Sequence, residues 1–266
     1  MEAKFVRDTA VSEVEPGVYE GRVNRDWWIV FGPNGGFLAA LFVRALTAAV
    51  GDEARSPRTL TIHYTAAPAE GPVRIATKTE RSGCSLSTMT ARMEQDDRLI
   101  ALAIAAFSTA REEDVDFDDT SPPTVPPPDE VQTIPPDSRL PPFTAQWDVK
   151  PAIGARPFTG TDEALTGGWI RLREPTEVDA ALIAQLTDAW IPAVFTRLEA
   201  PNPIPTVELT MHFRSELPLP ADWVLSRFES RLSRHGFVEE DGELWTPDGQ
   251  LIAQSRQLAL LQAPSH

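Results

Sequence analysis

Two stretches of the chain repeat one pattern of apolar and polar positions. A largely apolar run, GGFLAALFVRALTAAV at 35–50, precedes segments in which apolar and polar residues alternate: TLTIHYTAAP, PVRIATKTERSG, LSTMTARMEQDD and RLIALAIAAFST. Further on, VDAALIAQLTDAW precedes TVELTMHFRSELP, DWVLSRFESRLSRHG, FVEEDGELWTPDG and QLIAQSRQLALL. A run with helical spacing predicts a helix, and period-two alternation predicts half-buried antiparallel strands, so each half reads as one helix followed by four strands. In the first half Leu60, Ile62 and Tyr64 share a face, as Val207, Leu209, Met211 and Phe213 do in the second. EQDDR at 94–98 and TPDGQ at 246–250 carry the Asp and Asp-Gly pairs that suit hairpin turns. LTIHY at 60–64 matches LTMHF at 209–213, and LIALAIAA at 99–106 matches LIAQSRQL at 251–258, which points to duplication.

The second helix is expected at about 177–190, with capping by Pro175-Thr176, first-turn acids Glu177 and Asp179, and a limit at Pro192. Between the halves, six acids within 112–119 are followed by a proline-rich stretch that cannot bury an apolar face, and both read as connector, the acids as a solvated edge. The expected division is 1–111, an N-terminal module; 112–145, the acidic and Pro-rich linker; and 146–266, a C-terminal module. An antiparallel sheet wrapped on one helix, made twice, is an α+β arrangement.

A hydrophobic share of 42% provides for a sizeable core, so no disulfide or metal staple is required. The formal charge of −15 disfavours nucleic acid and anionic membrane surfaces as partners. No apolar stretch reaches membrane-spanning length and the first residues lack a signal-peptide core, so a cytoplasmic protein is expected. The single cysteine, Cys84, allows no internal disulfide, and no Cys/His cluster has zinc spacing, so neither metal nor cofactor is expected.

The residues GPNGGFLAALFVRAL at 32–46, then LTDAW, PTVELTMHFR and the closing DGELWTPDGQLIAQSRQLAL, resemble the double-hotdog acyl-CoA thioesterases of the thioesterase II type. The resemblance covers most of the chain outside the linker. It implies two tandem hotdog modules and hydrolysis of acyl-CoA or acyl-pantetheine thioesters. It also implies a water held by an Asp of the second helix, a Thr opening the next strand and a Gln on the last strand, here Asp188, Thr206 and Gln257. The thioester carbonyl would face the amides at the glycine-rich helix start, at Asn34, Gly35 and Gly36. Association into a homo-oligomer is expected as well, since sheet edges are hidden by pairing.

The chemistry fits these residue types. Helix N-terminal amides can stabilise an oxyanion, and a carboxyl buried near the thioester would have a raised pKa and accept a proton from water. Near the C-terminal end of its own helix Asp188 gains nothing from the dipole, and a solvent-facing position is the alternative. Gln257 shares its strand face with Ala253, Ser255 and Ala259, where an amide needs partners, and bonding to neighbouring backbone would also satisfy it. Its first-half counterpart is Ala105 and that of Thr206 is Pro57, so one working site per chain is expected. Thr206 falls in phase with Glu208, Thr210 and His212 on the polar face, and only a bulge or the strand's first-residue geometry would turn it inward. His63 and His212 occupy matching positions in both copies and are read as structural or surface residues rather than a catalytic base. Trp27, Trp28, Trp190 and Phe195 either line an acyl tunnel or form core.

With no G-x-S-x-G elbow a serine hydrolase is set aside. A hotdog hydratase or dehydratase would need a histidine near the helix start, where none lies. A non-catalytic acyl-thioester binding module is the third alternative.

Overall fold

The computed structural model describes residues 2–111, 115, 117–220 and 222–262. Of the acidic run, residues 112–114 and 116 lie outside the described residues. In chain order the elements are α1 (Lys4–Asp8), β1 (Ser12–Glu15), β2 (Val18–Val23), α2 (Gly35–Val50), β3 (Ser56–Tyr64), β4 (Gly71–Ser82), β5 (Leu86–Gln95) and β6 (Arg98–Ser108). The second half contributes β7 (Trp147–Gly154), β8 (Ala164–Leu172), α3 (Ala180–Leu186), β9 (Thr206–Phe213), β10 (Val224–Ser230), β11 (Ser233–Arg234), β12 (Phe237–Trp245) and β13 (Leu251–Leu260).

All strands join one antiparallel sheet in the order β1-β2-β4-β5-β6-β3-β9-β13-β12-β10-β8-β7, with β11 on β12. The fold is the expected α+β double hotdog, its sheet wrapped on α2 and α3. The halves meet where β3 pairs with β9: Leu60 faces Met211, Ile62 faces Leu209, and Thr61 faces Thr210, its own counterpart in the repeat. The two threonine hydroxyls bond at 2.8 Å on this pseudo-twofold axis.

Each half carries a strand pair before its helix, β1–β2 and β7–β8, that the alternation pattern did not foresee. β8 contains Gly167-Gly168, where a Cβ would lie 2.1 Å from the Ser226 carbonyl oxygen and 2.2 Å from that of Lys150, so the sheet closes only on glycine. The hairpin at Asp96-Asp97 has positive φ at both residues, as a tight primed turn requires.

α2 runs the expected sixteen residues, and its Phe37, Leu41, Phe42 and Leu46 are fully buried. The second helix is shorter than expected. Asp179 rather than Thr176 caps it, accepting from Leu182 N–H at 2.9 Å, and it ends at Leu186, where the Thr187 hydroxyl turns back to the Ala184 carbonyl. Asp188 therefore stands past the helix end, free to point elsewhere. The proline-rich part of the linker docks on the sheet at a few points while most of its residues stay exposed. Trp169 Nε1 donates to the Pro126 carbonyl at 2.9 Å, Ile134 N–H donates to Val149 O at 2.8 Å, and Val125 and Val131 lie on a cluster of Trp169, Trp223 and Trp245. Those tryptophans occupy the outer sheet face, which water would otherwise meet, and the strap removes their apolar area from solvent. Among the described residues no helix is long and apolar enough to cross a membrane.

Candidate active site

α2 begins at Asn34-Gly35-Gly36, and its first amides need acceptors that the helix cannot supply. Asn34 makes no side-chain bond to its own helix. Instead the buried Asn34 amide donates to Asp188, reaching its carbonyl oxygen at 2.7 Å and its Oδ2 at 2.9 Å, and Asn34 Oδ1 accepts from Gln185 Nε2 at 2.6 Å. Gly36 N–H also donates to Asp188 Oδ2, at 2.9 Å. Asp188 thus caps a helix in the other half of the chain, and the dipole unfavourable at its own helix end is replaced by a favourable one at α2.

The two glycines permit this approach. A Cβ on Gly35 would lie 3.0 Å from Asp188 Oδ2 and 3.3 Å from the Tyr64 ring, while one on Gly36 would lie 2.5 Å from the Gln185 carbonyl oxygen. Tyr64, whose hydroxyl donates to Gly35 O at 2.9 Å, closes the other side. Burial raises the Asp188 carboxyl to about 6, against the opposing pull of the Gly36, Gly35 and Asn34 donors. Burial, with Asp188 and Glu208 nearby, likewise lifts the Tyr64 phenol well above its ordinary value.

This geometry corrects one expectation. The Gly36 N–H donates to the Asp188 carboxylate, so that amide holds a protein anion rather than standing free for a thioester oxygen. A full carboxylate charge at a helix N-terminus attracts that donor more strongly than a neutral carbonyl does.

Thr206 and Gln257 form a second group. Gln257 is 8% exposed, and its Nε2 donates to Thr206 Oγ1 at 2.6 Å. Thr206 reaches it through a bulge: Glu208 pairs with Leu258 and Thr206 pairs with Ala259, leaving Val207 as the extra residue. The first half has the same irregularity, with Arg58 as the extra residue between Pro57 and Thr59. Register confirms the counterparts, since Leu60 pairs with Ala105 as Leu209 pairs with Gln257. Among the described residues no hydrogen bond joins Asp188 directly to Thr206 or Gln257.

Between the two groups stands Glu240, which the sequence reading passed over. It pairs with Gln257 across β12–β13, and its Oε2 accepts from Ala193 N–H at 2.5 Å in the turn just beyond Asp188. Burial pushes its carboxyl up to about 8, with Asp188, Glu239 and Asp241 adding to the rise against the Ala193 amide. Its alternation with buried Val238 and Leu244 was the available signal.

The remaining candidates lie elsewhere. His63 is exposed, and His212 looks out from the polar sheet face over a groove of about 610 Å³ lined by Arg227, Arg231, Arg256 and Asp241. Cys84 is exposed. Trp27 is core, stacked on Phe37 at 5.4 Å, and Trp190 Nε1 donates to Thr166 Oγ1 at 2.8 Å. Among the described residues no group of three or more His, Cys, Asp or Glu side chains is placed to hold a metal.

Comparison with known proteins bears on this arrangement. A family model described as the acyl-CoA thioesterase C-terminal domain matches residues 119–261, and one described as the acyl-CoA thioesterase N-terminal domain matches residues 24–108. Among solved structures, a hot dog fold protein of unknown function from Alicyclobacillus acidocaldarius is 29% identical, with all of both chains covered and a TM-score of 0.87. A putative thioesterase II from Thermobifida fusca is 24% identical over 98% of each chain, TM-score 0.85. The acyl-CoA thioesterase II TesB2 from Mycobacterium marinum is 22% identical over 98% of this chain and 99% of that one, TM-score 0.79. No curated protein gives a significant match.

Proposed function

Because the chain belongs to the acyl-CoA thioesterase family, we propose that it hydrolyses acyl-CoA or acyl-pantetheine thioesters by direct attack of water, with Asp188 as general base. The observation that carries this reading is a buried carboxyl whose pKa stands near 6, held by the first amides of α2. Such a group is ionised at neutral pH yet basic enough to take a proton from water. Thr206 and Gln257 position that water, Gln257 with the second hydrogen of its amide. As the C–O bond forms, one water proton passes to Asp188 and negative charge gathers on the carbonyl oxygen. The C–S bond then breaks, giving the free acid and the thiol. Pro57 and Ala105, the apolar counterparts of Thr206 and Gln257, support one working site per chain. The division into modules 1–111 and 146–266 around a 112–145 linker, and a cytoplasmic homo-oligomer, belong to the same reading.

Release of free thiol from acyl-CoAs of short, medium and long chain tests it. Gln257→Ala is expected to lower kcat about 10²-fold, the scale on which misplaced reactants lose rate. Saturable acyl-CoA binding without thiol release by the wild type would instead favour the acyl-binding module, and wild-type rates in Gln257→Ala would remove that residue from the site.

A further inference from the structure

The duplication supplies an internal comparison for every position near the site. Where the second half has Thr206, Gln257 and Glu240, the first half has Pro57, Ala105 and Met89, because Met89 pairs with Ala105 just as Glu240 pairs with Gln257. Met89 is 1% exposed, so this position belongs to the inner sheet face and an apolar side chain satisfies the fold there. A carboxylic acid in its place carries a burial penalty that packing does not demand. In the second half all three of these positions are polar, and in the first half none is.

Glu240 has defined surroundings. One oxygen accepts from Ala193 N–H, which ties β12 to the segment bearing Asp188. Directly opposed side chains on one face of an antiparallel pair stand about 4.5–5.5 Å apart at Cβ, which brings the other oxygen within reach of the Gln257 amide. Gln257 Nε2 is turned to Thr206, so its amide oxygen is the atom left to accept a hydrogen. Continuing the β10–β12 register beyond its last pair, Glu229 with Asp241, places Ser230 beside Glu240, and the buried Ser230 hydroxyl has no protein partner.

We propose that Glu240 is a positioning residue that works in its protonated form, its O–H donating to the Gln257 amide oxygen and fixing the orientation in which that amide donates to Thr206. This inference rests on the hydrolytic reading of Asp188, Thr206 and Gln257. Ionisation of Glu240 removes the donor and places a second negative charge near Asp188, so turnover falls. The charges acting on Glu240 are negative: Asp188 from the segment after α3, and Glu239 and Asp241 from its own strand. The nearby cations Arg231 and Arg256 are both paired with Asp241, at 2.7 and 2.6 Å. Asp188 and Glu208 of β9 in turn act on the Tyr64 phenol of β3. Asp188 is held by three donors and Glu240 by one amide, so Asp188 ionises first and Glu240 keeps its proton through neutral pH.

The pH profile of kcat for acyl-CoA hydrolysis tests this with three variants. The wild type is expected to lose activity as pH rises through about 8, the range to which burial lifts Glu240. Glu240→Met, which installs the residue of the first half, is expected to keep the wild-type melting temperature while kcat falls about 10²-fold and KM changes less. Glu240→Gln, still able to donate to the Gln257 oxygen, recovers most of that loss and lacks the alkaline fall. An alkaline fall that persists in Glu240→Gln, or wild-type kcat in Glu240→Met, overturns the proposal. Wild-type kcat in Gln257→Ala overturns the reading beneath it, so the two failures are told apart.

Discussion

Asp188→Asn is expected to lower kcat for thioester hydrolysis about 10³-fold, the usual scale for losing a general base, with KM little altered. The substitution keeps the shape that fits between Asn34 and Gly36 and removes only the capacity to take a proton. The wild type should gain activity as pH rises through about 6, since the base works only when ionised, and that limb should be missing in the variant. Stability should move the other way. The carboxyl titrates near 6 in the folded protein against an ordinary value of 3.8, so folding takes up a proton between those values. Its contribution to stability is fully present below about pH 4 and is lost as pH rises through about 6. A shift of roughly two pH units corresponds to about 3 kcal/mol, an upper bound on what the buried anion costs at neutral pH. Denaturant melts should therefore show Asp188→Asn at least as stable as the wild type above pH 6, with the difference gone in acid. Loss of function joined to retained or raised stability is the mark of a group kept for chemistry.

Gly36→Ala is expected to destabilise the protein by about 2–4 kcal/mol, as overpacking against backbone does, and to lower the melting temperature by roughly 10 °C. The new Cβ would fall 2.5 Å from the Gln185 carbonyl oxygen and 3.0 Å from Gln185 Cα, atoms of α3 that cannot swing aside as a side chain can. It would also sit 2.9 Å from Asn34 Oδ1, which holds Gln185, so the α2–α3 contact and the seat of Asp188 are disturbed together. Thiol release should fall even in the fraction that stays folded. Gly83→Ala is the control, because its Cβ would meet only the Leu86 carbonyl oxygen at 3.4 Å. Equal melting temperatures for the two variants would contradict the packing argument.

The strands legible from sequence were those with a clean period of two, and the repeat supplied their pairing. Leu60 and Leu209 were matched by sequence alone, and their partners Ala105 and Gln257 follow in register. Hidden from sequence was whatever depends on a register shift or a distant partner. Alternation placed Thr206 on the polar face, and the extra residue Val207 turns it inward, a shift of one residue that composition does not report. Asp188 looked misplaced because only its own helix was visible; its donors lie more than 150 residues away, at Asn34 and Gly36. The linker's prolines indicated stiff, extended chain, while the three tryptophans it packs against come from β8, from β12 and from the residue just before β10. Glu240 was obscured by acidic neighbours that share its type and face outward, as Asp241 does with Arg231 and Arg256.

The most direct test of Asp188 as a base acting on water is single-turnover hydrolysis in oxygen-18 water with enzyme in excess over acyl-CoA. Direct attack places the heavy oxygen in the free acid on that first turnover and leaves the Asp188 peptide unlabelled. An unlabelled acid, with the heavy oxygen found instead in the Asp188 carboxyl, would show a covalent acyl-aspartate and contradict the account.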